Sequence, residues 1–266
     1  MITLLFIGDV VGQSGLEGLL KAVPSLMERF SPHCFVVNGE NIVDGKGLSE
    51  KEAGMLFNAG VHVITTGNHI WENWKSRPLL AQNPRVLRPH NYPAENPGSG
   101  ITTVQIANGY TVGVVQVQGR TYMQPIDCPF KTLDAALDEL RRKTNIILLD
   151  FHAEATGEKI AMSYYADGRV SAVLGTHTHV QTNDAQILPR GTAYITDVGM
   201  TGPSESVLGM NIDVALRRFQ LQTAHKYELG TGFIRVSGVC VQIDEQSGRA
   251  RSIEAFMLPD VQRSVV

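Results

Sequence analysis

Short apolar runs recur along this chain, and most of them stop at a glycine or a polar residue. Runs at 3–7, 34–37, 61–64, 145–149, 171–174 and 193–196 are too short for buried helices and predict buried strands. Stretches of helical period separate them. Residues 14–29 place Leu16, Leu19, Leu20, Val23, Leu26 and Met27 at helical spacing, with Pro24 as an interruption. Ser49 with Glu52 three residues on has the form of a capping box, opening a helix to about Asn58 that stops at Gly60. Residues 131–143 are amphipathic through Leu133, Ala136, Leu137 and Leu140. Further helices are predicted at 156–165 and 211–223. Two β runs, 102–106 and 111–117, flank Asn108 and Gly109, a hairpin signal. Two more, 233–243 and 250–258, end the pattern. Residues 76–100 carry five prolines and read as a long irregular excursion, and 119–130 as another loop.

Strand and helix alternate in the first half, and hairpins dominate later. That order predicts an α/β protein of two mixed sheets packed face to face, helices outside, in one domain over residues 1–266. The composition agrees, with 43% hydrophobic and 18% charged residues. A net charge of −3 supplies no global field for nucleic acid, so no stable nucleic-acid partner is expected, and an anionic substrate needs a local positive charge. Cys34, Cys128 and Cys240 show no metal-binding spacing; Cys34 and Cys240 lie in apolar runs as small core residues. The sparse, odd count, with no signal peptide and no apolar run of membrane length, predicts a cytoplasmic protein.

The chemistry sits where strands run out. Asp9, Glu40 with Asn41, Asn68 with His69, His152, and His177 with His179 each lie just past an apolar run. In open α/β sheets that edge binds ligands. Taken singly, each has a plain explanation as a turn or loop residue; five strand ends doing this together are harder to explain that way. In an extended segment His177 and His179 would point to one side and aim two imidazoles at one point. Seven candidate ligands (Asp9, Glu40, Asn41, Asn68, His152, His177, His179) are too many for one ion and suit two bridged by Glu40. Oxygen and imidazole donors without thiolates suit iron, manganese or zinc.

In order and spacing, Gly8-Asp9, Gly39-Glu40-Asn41, Gly67-Asn68-His69, His152 and the run Gly175-Thr176-His177-Thr178-His179 resemble the calcineurin-like metallophosphoesterases, and among them the YmdB-like bacterial cyclic-nucleotide phosphodiesterases. The resemblance spans nearly the whole chain. One departure from the wider superfamily is Val11, which stands where its first motif usually has histidine; Asn41 offers a replacement oxygen. The resemblance implies a four-layer αββα sandwich and two divalent or mixed-valence metal ions, iron first. One ion would take Asp9, Glu40, Asn41 and His179, the other Glu40, Asn68, His152 and His177. It implies hydrolysis of a phosphodiester, a 2′,3′- or 3′,5′-cyclic nucleotide, by a metal-bridging hydroxide, with His69 protonating the leaving oxygen. A phosphomonoesterase (a protein phosphatase or nucleotidase) and a non-catalytic regulatory scaffold of the same fold are the alternatives. The sequence leaves homo-oligomerisation open.

Other polar residues are less telling. Lys75, Arg77, Arg85, Arg88 and His90 read as a solvated charged loop. Trp71 and Trp74 read as one helical packing face, and His33, His62 and His225 as structural. Arg120, Tyr122 and Met123 lie on a loop after a strand, where they could cover a base.

Overall fold

The computed structural model describes residues 1–259 and 261. One sheet contains β1 (Ile2–Ile7), β2 (Cys34–Asn38), β3 (Val63–Thr65), β10 (Gly202–Met210), β11 (Leu229–Ile243) and β12 (Ala250–Leu258). Its order is β10-β11-β1-β2-β3, and β12 also pairs with β11. Strands β1, β2 and β3 are parallel, while β11 runs antiparallel to β1, β10 and β12. The second sheet contains β4 (Ile101–Gln105), β5 (Thr111–Gln118), β6 (Ile146–His152), β7 (Ala172–Thr176), β8 (Gln186–Ile187) and β9 (Ala193–Ile195). Its order is β4-β5-β6-β7-β9-β8. Strands β5, β6, β7 and β9 are parallel; β4 and β8 are antiparallel edges.

Strand alternation builds the layers. In β1, Ile2, Leu4 and Phe6 join Val114, Leu148 and Leu174 in the core between the sheets. Leu5 and Ile7 face the other way, onto α1 (Gly12–Phe30), α2 (Glu50–Asn58) and α3 (Ser76–Gln82). Across the molecule Ile147, Leu149 and Phe151 pack on α4 (Pro129–Leu140) and α5 (Thr156–Ala166). The result is the four-layer αββα sandwich. A sixth helix, α6 (Ile212–Leu221), buries only Ala215.

Several local expectations change. Within 76–100 the chain forms α3 despite its prolines, because Ser76 Oγ bonds both the N–H and the carbonyl of Leu48 and seats the helix start. Pro24 lies inside α1 with its ring exposed to solvent. Ser49 caps α2 without a side-chain bond to the backbone; its hydroxyl goes to the Glu52 carboxylate instead. The β4–β5 hairpin forms, but over a longer loop with Gly109 at φ 77°. Strands β8 and β10 lie outside the apolar runs that predict strands. Trp71 packs on Tyr92 with ring centroids 5.2 Å apart, whereas Trp74 is exposed, so the two share no face. Arg88 is buried and donates to the Pro89 carbonyl, so it does not belong to a solvated loop, whereas Lys75, Arg77 and Arg85 are exposed, Arg85 with its guanidinium over the Phe57 ring. His33 and His62 each accept a strand N–H at 3.1 Å, from Thr3 and Phe35, as structural residues should. The three cysteines are free, with Cys34 and Cys240 buried.

Because β1, β2 and β3 run parallel in one sheet, and β6, β7 and β9 in the other, their carboxyl ends can meet along one edge. Close approach there requires glycine. A Cβ at Gly8 would lie 1.8 Å from the Gly199 carbonyl oxygen, and one at Gly175 would lie 1.7 Å from that of Thr196. Helical Gly54 has open space around its Cβ position. Urea unfolding should therefore separate these glycines. Gly54→Ala should gain about 0.5–1 kcal/mol, and Gly175→Ala should lose stability by at least about 1–3 kcal/mol, the usual cost of overpacking. A neutral Gly175→Ala would mean that the strand ends are not so tightly apposed.

Candidate metal centre

Asp9 follows β1, and Glu40 and Asn41 follow β2. Asn68 and His69 open a 3₁₀ turn after β3, His152 ends β6, and His177 and His179 follow β7. Asp9, Glu40 and His152 are fully buried, and Asn41 nearly so. His152 Nε2 lies 3.1 Å from Glu40 Oε1, from Asn68 Oδ1 and from His177 Nδ1. On the other side, His179 Nε2 lies 3.8 Å from Asp9 Oδ1. Asn41 shares a cleft with His177 and His179. The seven side chains thus gather at the joint edge of the sheets, but not as strand alternation predicts. His177 and His179 have φ of 94° and 64°, so the segment is not extended. Its twisted backbone turns the two rings to different carboxylates, His177 toward Glu40 and His179 toward Asp9.

The outer hydrogen bonds of the rings determine where their lone pairs point. Thr176 gives its one hydroxyl proton to Asp150 Oδ1 at 2.7 Å, so His152 Nδ1 must donate in its 2.9 Å bond to Thr176 Oγ1. His177 Nε2 donates to Glu154 Oε2 at 3.2 Å, and His179 Nδ1 to the Leu208 carbonyl at 3.1 Å. Each neutral imidazole therefore donates outward and turns a lone pair inward. Metal-ligating histidines are held in this way, by carboxylate, carbonyl or hydroxyl partners behind them.

Inward, the lone pairs meet no protein donor. Asp9 Oδ1 and Asn41 Oδ1 are buried without a hydrogen-bond partner, and Glu40 Oε1 faces only the His152 ring nitrogen. Leaving such oxygens unmade is costly. Burial disfavours charge on both members of the Glu40–His152 pair, yet their mutual attraction prevails: Glu40 is held down at about 2 and His152 up at about 9. His177 is pushed down to about 3, by burial first and by His152 second, and burial raises Asp9. A proton on His152 Nε2, 3.1 Å from Glu40 Oε1, meets part of that demand for positive charge when no cation does, and a bound cation would displace it to leave the neutral ring with its lone pair inward. Ligand atoms of Glu40, His152 and His177 lie within 4.8 Å of one another. Gly67 keeps this space open, since a Cβ there would lie 2.2 Å from His152 Nε2. The donor set fits divalent cations.

His69 sits differently. Its backbone N–H donates to Glu40 Oε2 at 3.0 Å, while its ring Nδ1 bonds Glu72 Oε1 at 2.5 Å. Glu72 also pairs with Lys46. A carboxylate behind Nδ1 retains the proton there and leaves Nε2 for other partners.

Four supporting carboxylates lie outside the set that the sequence singles out. Glu154 and Glu72 back His177 and His69. Asp150 anchors the Thr176–His152 pair and accepts Asn38 Nδ2 at 3.2 Å. Asp197, after β9, is a sixth strand end of the same kind. Its Oδ2 accepts Lys159 Nζ at 2.8 Å and the N–H and hydroxyl of Thr178 at 3.1 and 2.7 Å. Thr178 separates the two histidines, so this buried ion pair holds their loop.

An αββα sandwich with carboxylates and imidazoles converging at the strand ends defines a metallophosphoesterase-like protein. The family profile of YmdB-like proteins matches residues 5–256, and the chain belongs to that family. It is 46% identical over 257 residues to the 2′,3′-cyclic-nucleotide 2′-phosphodiesterase of Bacillus subtilis (strain 168), covering 97% of each chain. A crystal structure of a hypothetical protein from Thermus thermophilus superposes with a TM-score of 0.91 at 39% identity, covering 97% of this chain and 100% of that one. A Mycoplasma pneumoniae structure described as a novel phosphatase gives 0.90 at 33%, covering 97% and 93%.

Removing Lys159 strands a buried carboxylate, so Lys159→Met should cost about 3–5 kcal/mol of stability. Asp197→Asn should also destabilise, and the double variant should lose less than the sum of the two. Additive losses in chemical denaturation would mean that the pair does not act as a unit.

Proposed function

We propose that this protein is a dinuclear metal-dependent phosphodiesterase acting on cyclic nucleotides, 2′,3′-cyclic nucleotides first among them. The observation that carries the metal is the inward-turned set of lone pairs around Glu40, with three imidazoles each braced from behind. The substrate class follows the activity for which the Bacillus subtilis relative is named. Asp9, Glu40, Asn41 and His179 would hold one ion, and Glu40, Asn68, His152 and His177 the other. Their oxygen and nitrogen donors suit iron, manganese or zinc. Bound there, two cations supply Lewis acidity at the phosphoryl oxygens and lower the pKa of water into the neutral range.

The chain's own residues do the rest. The rings of His152, His177 and His179 are fixed by Thr176, Glu154 and the Leu208 carbonyl, so the centre is organised before substrate arrives. His69, protonated on both ring nitrogens, is the proton donor to the leaving oxygen, through Nε2. Glu72 holds its Nδ1, and its ring lines the same cleft as His177 and His179. A ribosyl alkoxide is a poor leaving group and needs that proton; nitrophenolate does not.

Turnover should be compared in metal-loaded and chelated protein on adenosine 2′,3′- and 3′,5′-cyclic phosphates, bis(p-nitrophenyl) phosphate and p-nitrophenyl phosphate. Metal-dependent hydrolysis of the diesters should exceed that of the monoester. The reverse order would make the protein a phosphomonoesterase, and inactivity of the loaded protein on all four substrates would favour the regulatory scaffold. His69→Ala should retain the metals yet lose about 10²–10⁴-fold on the cyclic nucleotide, and less on the nitrophenyl diester. Equal losses would assign His69 to charge stabilisation, and loss of metal would make it a ligand support.

A further inference from the structure

Two cavities flank His177. The larger, about 500 Å³, has His69, His179, Val180, Leu208, Met210 and Tyr227 among its lining. The smaller, about 350 Å³, is lined by Asn68, Tyr122, Met123, Gln124 and His177. We propose that the apolar wall of the larger cavity, Leu208 and Tyr227 with Val180 and Met210, is the subsite that binds the nucleobase. This rests on the cyclic-nucleotide reading above and goes beyond it by assigning the side of the centre on which the nucleoside lies.

The chemistry selects the side. When a cyclic nucleotide opens, the oxygen that leaves phosphorus stays on the ribose. The nucleoside must therefore lie beside the group that protonates that oxygen. His69 lines the larger cavity and is absent from the lining of the smaller. A volume of about 500 Å³ lies within the range of small-molecule clefts, roughly 300–1,000 Å³. Such clefts combine apolar walls with a few polar groups, as here.

The wall is built, not incidental. Leu208 has φ of 54°, an uncommon conformation for a leucine, and its side chain remains 48% exposed. The same residue's carbonyl accepts the His179 Nδ1–H, so the turn that presents the leucine also braces a ring of the centre. Gly209 follows at φ 90°, pressed so close to Val11 that a Cβ would lie 2.6 Å from its Cγ1. Gly209 N–H donates to Ser206 Oγ at 3.0 Å, closing the turn. The Tyr227 ring rests on Gly45, where a Cβ would lie 2.5 Å from the ring, and the Gly45 carbonyl accepts Asn41 Nδ2 at 3.1 Å. Both apolar residues are thus tied to the centre through candidate ligands, Leu208 through His179 and Tyr227 through Asn41. A flat apolar base against such a wall recovers stacking and burial without base-specific hydrogen bonds.

The test uses full-length wild type, Leu208→Ala, Leu208→Met and Tyr122→Ala, each checked for cooperative thermal unfolding. Binding of adenosine, which lacks phosphate, is measured by calorimetry with and without metal. KM is measured for adenosine 2′,3′-cyclic phosphate and for methyl p-nitrophenyl phosphate, which lacks a base. Loss of the leucine contact should weaken adenosine about tenfold. It should raise KM for the cyclic nucleotide by a similar factor relative to the base-free diester, and Leu208→Met should recover most of both. Tyr122→Ala should stay within about twofold of wild type on both measures, since the tenfold effect is assigned to the other wall. Adenosine binding and relative KM indifferent to Leu208, or weakened instead by Tyr122→Ala, would overturn the subsite. A protein that binds adenosine in a Leu208-dependent way but hydrolyses no cyclic nucleotide would keep the subsite and refute the reaction. One that hydrolyses cyclic nucleotides with no Leu208 dependence would do the opposite.

Discussion

Buried oxygens and ring nitrogens with more lone pairs than protons among them are the constraint on which this structure turns. Asp9 and Asn41 present buried, unpaired oxygens, and Glu40 one that faces only the His152 ring. Three imidazoles add lone pairs to them. A core of this kind is tolerable only if positive charge occupies it, and the outward hydrogen bonds keep the rings from turning to relieve it. The stabilising half of the arrangement lies one layer out, in Thr176 with Asp150, in Glu154, and in Asp197 with Lys159.

The fold serves this edge. Parallel strands in the centre of each sheet deliver their carboxyl ends together, and face-to-face packing brings the two sets into register. Inter-sheet residues such as Phe6, Leu148 and Leu174 set the spacing. Glycines at the ends of β1 and β7 then let backbone touch backbone, and Gly67 gives the His152 ring its room. The centre is therefore a consequence of packing across the whole sandwich rather than of one motif.

Much of this is legible in the sequence because strand ends are marked twice, by the end of an apolar run and by the glycine or polar residue that follows. The sheets, most helices and the candidate ligands follow from that signal. Asp197 carries the same signal, an acidic residue just past the apolar run at 193–196, and is as legible as Asp9. Glu72 is recoverable too, since it stands one helical turn beyond His69. Asp150 and Glu154 are harder: one is interior to a strand longer than its apolar run, and the other follows the strand on a loop. The paths of His177 and His179 depend on two positive φ values in non-glycine residues, a tertiary compromise that no local pattern announces. Helix α3 depends on a long-range contact between Ser76 and Leu48, which proline content could not reveal.

In the proposed centre Glu40 stands between two cations at the joint edge of the sheets. Anomalous diffraction from crystals of metal-loaded protein, collected at the absorption edge of the bound element, tests it most directly. Two peaks per chain are expected, one toward Asp9, Asn41 and His179 and one toward Asn68, His152 and His177, with the Glu40 carboxylate between them. A single peak in crystals of fully active protein, or peaks away from these side chains, would contradict it.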